Sequence, residues 1–376
     1  ALAASLMAVR GYTAPELERI GRRVLELCDH LEPSPMTALA LTAASHFCTI
    51  RAGHLDALRL AREVLAIGED LDDPGLTTLG RYVVGYEETW QGELSSGRDH
   101  LEVAHQGYDP EQQGWLVFAL GQAVGPEALV WDAFNMAHRG YPDQAIRLAE
   151  RGIALARNVG HPFSLCHALG IGGVLVRLIL GEFGTALRCN EEFATVAAAE
   201  HFEFWSVAAD IYRGCALGWT GDPDSGIAEL QRGLDAWERM GVGAFRGYWY
   251  AEMAGIDQLR GHPDGGLAIV ERELGPAVES LEGLCYAHLR ARRSSLMGEL
   301  GDSEEAIRAA EEAVDVARGI GARLLELRAA TDLASAYSVV GSIGEAEEAL
   351  LPIFSWFTEG FETPYLVAAR RVLERF

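Results

Sequence analysis

The stretch GDPDSGI, Gly221–Ile227, has counterparts at a fixed distance on both sides. GEFGTAL begins at Gly181, GHPDGGL at Gly261, GDSEEAI at Gly301 and GSIGEAE at Gly341, each 40 residues after the last. A constant period of this length marks a repeat architecture, in which each unit buries its apolar face on its neighbours. The series continues upstream in less even steps through GYPDQAI at Gly140, GELSSGR at Gly92, GHLDALR at Gly53 and GYTAPEL at Gly11, giving nine candidate hairpins.

Each of these glycines occupies the position just past a helix C-terminus, where the chain turns left-handed and a side chain is costly. The residues after each glycine have the marks of a helix start. Pro142, Pro223 and Pro263 suit a first helical turn, and Asp222, Asp302 or Ser303 can cap its free donors. After Gly301, Ala306, Ala309, Ala310, Ala313, Val314 and Ala317 recur at three- and four-residue steps, with Glu304, Glu305, Glu311, Glu312 and Asp315 on the other face. That is an amphipathic helix. No segment sustains the alternation of a strand, so the class is all-α.

Small residues keep the same register. Ala145, Ala186, Gly226, Gly266, Ala306 and Ala346 lie five positions after a turn glycine, and Gly85, Ala133, Gly214, Ala254, Ser294 and Ala334 seven before one. Two such positions per hairpin let paired helices approach closely, as tetratricopeptide-type hairpins do. The expected fold is a right-handed α-solenoid of about nine helix–turn–helix repeats with a C-terminal capping helix. It forms one array over 1–376: N-terminal repeats (1–107), an inserted connection (108–126), regular repeats of period 40 (127–358), and a terminal turn with the capping helix (359–376). The insertion is inferred from the 48-residue step between Gly92 and Gly140. It reads as a packed connection between helices, with a loop on a functional face as the alternative.

Composition excludes several functions. There are 55 acidic residues against 31 basic ones and the net charge is −24, so a phosphate backbone would be repelled and nucleic acid is not an expected partner. The chain has no lysine, so a Walker A loop cannot form in this segment. Cys28, Cys48, Cys166, Cys189, Cys215 and Cys285 are scattered singly, as buried thiols of a reducing cytoplasm would be. The longest apolar stretch, Ala168–Gly181, is broken by Arg177 and is shorter than a membrane span needs, so no membrane is expected. The opening ALAASLMAVRGY has no initiator methionine and starts in mid-repeat, so the chain reads as a fragment of a longer protein.

Catalytic signatures are missing: there is no H-E-x-x-H, no G-x-S-x-G, and no G-x-G-x-x-G after a strand. GIGG (Gly170–Gly173) and GVGAFRG (Gly241–Gly247) read as turns and close helix contacts. His100/His105 and His161/His167 are spaced five and six apart, which does not put both on one helix face, and read as buried or capping side chains. Glu87/Glu88 and Glu347/Glu348 read as solvent-facing. No metal or cofactor is expected.

What remains is the surface that a solenoid presents. If the first helix of each hairpin faces the concave side, the register puts Trp131 and His138, Tyr212 and Trp219, Tyr248 and Glu252, His288 and Arg292, and Arg328 and Asp332 there. Aromatics and arginine are the usual anchors of a peptide, a partner helix or a small ligand, although half of these positions would serve equally as inter-repeat core. The aromatic stretch FSWFTEGFETPYL reads as a structural stop: Phe354, Trp356, Phe357 and Phe361 form a lid held by Tyr365 and Leu366, with the last hairpin helix reaching Thr358.

The segments GYDPEQQGWLVFALGQAVGPEALVW, RGYPDQAIRLAERGIALARNVGHPFSLCHAL, and LLELRAATDLASAY with LLPIFSWFTEGFETPYLVAARRVL resemble the C-terminal helical-repeat region of large bacterial signalling proteins. Those carry an N-terminal class III adenylate/guanylate cyclase domain and then an AAA/NACHT-like ATPase domain. The resemblance covers essentially the whole chain. It departs from the pattern at Leu120-Gly121-Gln122-Ala123-Val124-Gly125, where a Tyr-Gly-Gln-Asp-Pro-Gly run is usual. It implies a non-catalytic regulatory array whose partners include upstream domains of the same polypeptide, and it is compatible with a homodimer because such cyclases work in pairs. A free-standing peptide or small-ligand receptor is the alternative reading, and an all-helical enzyme the third.

Overall fold

The computed structural model describes residues 32–376, together with isolated positions at 19, 21–23, 26 and 27. The hairpin expected around Gly11 and the thiol of Cys28 lie outside the described residues. Among those residues there is no strand. The helices pair as α1 (Pro35–Ile50) with α2 (His54–Asp70), and α3 (Pro74–Gln91) with α4 (Leu94–Gln106). After α5 (Pro110–Leu120), α6 (Val124–His138) pairs with α7 (Pro142–Val159). Next, α8 runs over Pro162–Ile179 and pairs with α9 (Phe183–Ala199). Then come α10 (Glu203–Trp219) with α11 (Pro223–Arg239), α12 (Arg246–Leu259) with α13 (Pro263–Glu279), and α14 (Gly283–Leu300) with α15 (Ser303–Gly319). The last pair is α16 (Arg323–Val339) with α17 (Ile343–Trp356), and α18 (Pro364–Leu373) ends the array.

Left-handed residues punctuate both kinds of turn, within and between hairpins. From Gly181 they fall at His201, Gly221, Gly241, Gly261, Leu281, Gly301, Gly321 and Gly341, one every 20 residues, so the 40-residue period is two equal half-periods. The cadence starts at Ala52, Asp72 and Gly92. At the second turn glycine expected from the sequence, Gly53, φ is −90° and the residue caps α2, while Ala52 takes the positive φ of 59°. Asp222 and Asp302 cap α11 and α15, accepting from the amides of Ser225 and Glu305.

Small residues permit the close helix approach within each hairpin. A Cβ on Gly226 would stand 2.4 Å from the Gly218 nitrogen, and one on Gly214 would stand 2.6 Å from the Leu230 nitrogen. The GIGG residues form no turn: they lie in a π-helical stretch, Leu169–Leu175, inside α8, where Gly170 meets Phe193 and Gly172 meets Val130. By length and composition α8 could cross a membrane, but 78% of it is buried, as in a core helix. The segment expected as a connection at 108–126 contains a true helix, α5, capped by Asp109 and ended by Gly121 at φ 71°. The excess residues of the long step therefore went into an extra helix rather than a loop.

The array coils far enough to close on itself. The amides of Gly243 and Ala244, ahead of α12, donate to the Ile50 carbonyl at the end of α1 (2.8 and 3.1 Å). Gly283 packs on the Gln91 and Gly92 backbone. His54 spans this seam, with Nδ1 3.2 Å from Glu87 and Nε2 3.4 Å from Glu282, 228 residues away. Thr49 also donates to Glu87, and the Phe245 amide donates to Glu282. Glu87 and Glu88 are therefore buried, contrary to the solvent-facing reading; Glu88 accepts from Arg62 and Ser96. Burial of these carboxyl groups is offset because His54, Arg62 and several hydrogen-bond donors converge on them.

A second seam joins the C-terminus to the middle of the chain. Trp356 packs edge-on against Tyr141 (5.3 Å), Glu359 accepts from the Gln144 amide (3.0 Å), and Tyr365 lies against Gly181. The lid is consequently smaller than expected. Phe357 and Leu366 are buried, Phe361 is exposed, and α17 ends at Trp356 because Phe357 turns extended (ψ 135°).

Burial alone would depress His54, but its hydrogen bonds to Glu282 and Glu87 raise its pKa to about 9. A raised histidine pKa contributes stability that is complete below about 6.5 and is lost as pH climbs through about 9. His54→Gln should lower stability near pH 6 by about 3 kcal/mol. The deficit should shrink above pH 9, as urea denaturation at the two pH values would show; an equal deficit at both would contradict a charged His54.

Candidate functional site

The inner helices of four successive repeats bring their polar side chains to one place. Glu252 of α12 is buried and accepts from the Trp219 indole of α10 (2.6 Å) and from His288 Nε2 of α14 (2.6 Å), while Arg292 stands 3.7 Å away. Arg328 of α16 reaches His288 Nδ1 at 3.3 Å. These two contacts define one tautomer: His288 gives its Nε2 proton to Glu252 and accepts from Arg328 at Nδ1. Arg292 also donates to the Ala251 carbonyl and lies over the Trp219 ring (5.0 Å), and Ser294 donates to Asp332 (3.1 Å).

The charges are those of a preorganised site. Despite burial, which would raise it, the hydrogen bond from His288 and the charges of Arg292 and Arg328 hold Glu252 down at about 2. Burial dominates at His288 and lowers it to about 4, so it is neutral near pH 7. Asp332 behaves oppositely: burial raises it to about 6, although Ser294 and both arginines favour its charged form.

A cavity of about 220 Å³ opens against this network, lined by Phe183, Trp219, Arg292, Arg328, Asp332 and Tyr365 together with Ala291, Ser295, Thr331 and Ala368. Phe183 stacks on Trp219 (5.3 Å, 8° between planes), and the Arg328 guanidinium lies 4.6 Å from the Tyr365 ring centre. Tyr365 comes from α18, so the capping helix also walls this cavity.

Next to it, the interior is filled with rings. Phe245, held at φ 63°, stacks on Tyr248 (4.5 Å, 4°), and Tyr248 stacks on His288 (4.6 Å, 18°). Phe245 in turn meets Trp90, which touches Trp131. Phe245, Trp90 and Trp131 border a second, mostly apolar cavity of about 70 Å³, which Tyr82, Tyr86, Trp205, Tyr212 and Trp237 also line, with His46 and His167 as its polar members.

The ten groove positions read from the register thus divide. Trp219, Tyr248, Glu252, His288, Arg292, Arg328 and Asp332 come together around one network, whereas Trp131 and Tyr212 line the aromatic cavity. His138 is buried beside Phe134, with both ring nitrogens lacking a hydrogen-bond partner among the described residues. Burial, His288 and Arg328 together lower it to about 3. Tyr365, Phe183, Thr331 and Ser294 were missed. The first two enter from outside the inner-helix register, so no periodicity could reveal them; Ser294 was visible only as a small packing residue. His161 caps α8 through the Ser164 amide and His167 is buried next to Trp131, so neither belongs to a metal set. Among the described residues no three His, Cys, Asp or Glu side chains converge as metal ligands.

No protein-family model and no curated protein matches the chain. Solved structures do. A Rap protein complexed with competence and sporulation factor superposes with a TM-score of 0.64 at 12% identity, over 100% of this chain and 97% of that one. A STAND-class signal-transduction ATPase with a tetratricopeptide repeat sensor, from Pyrococcus horikoshii, gives 0.45 at 14% identity, over 96% of this chain and 55% of that one. The apo quorum sensor NprR from B. thuringiensis gives 0.49 at 14% identity, over 94% and 96%. The chain has the fold of tetratricopeptide-like helical-repeat proteins. Identities this low establish the fold alone.

Asp332 supplies a test of the site's electrostatics. With its pKa raised to about 6, its ionisation costs stability as pH rises from the ordinary aspartate value through 6. Asp332→Asn should stabilise the protein by about 1–2 kcal/mol at pH 7.5, the figure being reduced for the part-exposed carboxyl. At pH 4 the gain should vanish, and thermal melts at both pH values would show it.

Proposed function

We propose that this chain is a non-catalytic sensing and interaction region, a helical-repeat array that regulates or holds together catalytic domains in a larger bacterial signalling protein. The observation that carries this reading is the Trp219–Glu252–His288–Arg328 network on the array's inner face, which opens onto a cavity and has a recognition site's composition. It offers donors, rings and fixed charge. No cysteine lines this cavity, and burial pushes the thiols of Cys48 up to about 12 and of Cys215 and Cys285 well above their ordinary value, away from the reactive thiolate.

The nucleotide cyclase and ATPase context rests on the resemblance carried by LLELRAATDLASAY and LLPIFSWFTEGFETPYL. Unpaired thiols at Cys48, Cys166, Cys189, Cys215 and Cys285 suit a reducing, cytoplasmic setting. A free-standing receptor is the second reading, favoured by the end-to-end superposition on a Rap protein solved with its factor. Under either reading the ligand is a peptide, a protein segment or a small molecule received on the inner face.

Purified protein should turn over neither ATP nor acetyl phosphate. Thermal shift against short peptides and small acids should raise Tm for a subset, since a ligand at 100 times its Kd adds about 2.7 kcal/mol. Turnover that disappears in His288→Ala would sink the reading. Fusing the chain to a cyclase domain from the same open reading frame, and finding its rate changed by the array, would separate the first reading from the second.

A further inference from the structure

Arg328 is the side chain in the inner site whose charge is left over. Its neighbour Arg292 stands beside Glu252, and Arg246, Arg293 and Arg318 each sit against glutamates elsewhere. Arg328 makes one hydrogen bond, to neutral His288, and lies over Tyr365; among the described residues no carboxylate oxygen comes within 4.0 Å of it. A half-buried guanidinium on a cavity wall, with no carboxylate in contact, leaves beside Arg292 a positive charge open to an anion in a protein of net charge −24. Beside it, His138 is buried with both nitrogens unpartnered, a second sign of unfilled hydrogen-bonding capacity.

We infer that the cavity between Arg292, Arg328 and Tyr365 binds the carboxylate of a small organic acid or of a peptide C-terminus, with an aromatic or apolar body seated against Phe183 and Trp219. The inference rests on the sensor reading and names the chemistry of its ligand. Charge matching selects a carboxylate over a phosphate: one guanidinium is unpaired, and Asp332 on the same wall repels a dianion. The planar fork of an arginine suits two carboxylate oxygens. The apolar part of the ligand has a stacked pair of rings to lie on, and Tyr365 places α18 over it, so an occupied cavity would hold the C-terminal seam closed.

Asp332 tunes the site. It faces Ser294 and Arg292 on α14 and Arg328 on its own helix, with Glu299 further along the same inter-helix groove. Protonated, it ceases to repel the ligand and becomes a donor, so carboxylate binding tightens as pH falls towards 5, provided the ligand itself stays ionised.

The test is calorimetric titration of the whole chain with three probes: benzoate, N-acetyl-Gly-Phe with a free carboxylate, and the same dipeptide as its amide. At least one acid should bind, and the amide should bind at least about tenfold more weakly, the usual loss when a charged hydrogen-bonded group is removed. Benzoate binding alone marks a metabolite site; preference for the peptide acid marks a C-terminus site. Arg328→Gln should lose at least about tenfold for the acid and leave the amide unchanged, while Asp332→Asn should tighten the acid at pH 7.5 and match wild type at pH 5. Because the two substitutions act in opposite directions, loss of folding cannot imitate the pattern. Acid and amide of equal affinity, absence of binding by both acids, or an Arg328→Gln variant that binds the acid as wild type does would overturn the inference. A protein that takes the neutral amide but not the acid would overturn it too, while leaving the sensor reading in place with a different ligand.

Discussion

Helix length in this chain is dictated by where the backbone turns left-handed. From residue 181 to residue 341 such a position recurs every 20 residues, and the intervening helices are mostly 17 residues long. Equal lengths make the hairpins interchangeable, and interchangeable hairpins stack with a constant rotation, which is what winds them into a coil. Where glycine is absent from the cadence, at His201 and Leu281, the conformation is imposed by the packing on either side, since neither residue favours it alone.

The coil's tightness decides the rest. Gly214 and Gly226 bring paired helices to backbone contact, the inner helices crowd together, and distant hairpins meet across the middle. His54 bridging Glu87 and Glu282, and Trp356 on Tyr141, are the fasteners of the two seams. An open concave groove is thereby turned into an interior. The aromatic side chains that would line a groove became a column of stacked rings, and a cavity of about 220 Å³ stays open around Arg292, Arg328 and Asp332.

That cavity lies where polar groups are hardest to accommodate, and the way they are satisfied indicates their purpose. Glu252 is fully compensated by Trp219, His288 and Arg292, so the floor of the site is rigid. Its wall is not compensated: Asp332 is driven towards its neutral form and Arg328 lacks a counter-ion within contact. A purely structural network would have paired those two directly. Their separation leaves room for a third, external charge.

Repeat register, helix starts and the small-residue contacts were all legible in the residues, because each depends on neighbours within one hairpin. Seven of the groove positions fall together for the same reason: a fixed offset from a turn glycine is a fixed place on an inner helix. What the register could not show is anything contributed from a distant turn of the coil. Glu87 looked solvent-facing because paired acidic residues on a helix usually are; its partners His54 and Thr49 come from the two preceding helices, and Glu282, nearly two hundred residues on, joins them through His54 only by closure. Tyr365 looked like part of a terminal stop, and it is one, but closure also makes it a wall of the cavity. The repeating unit is therefore a property of the amino-acid order, since local backbone preference and periodicity are short-range. Which units touch across the coil is a property of the folded array, because a small rotation per repeat adds up over eight described hairpins to a distance no local pattern records.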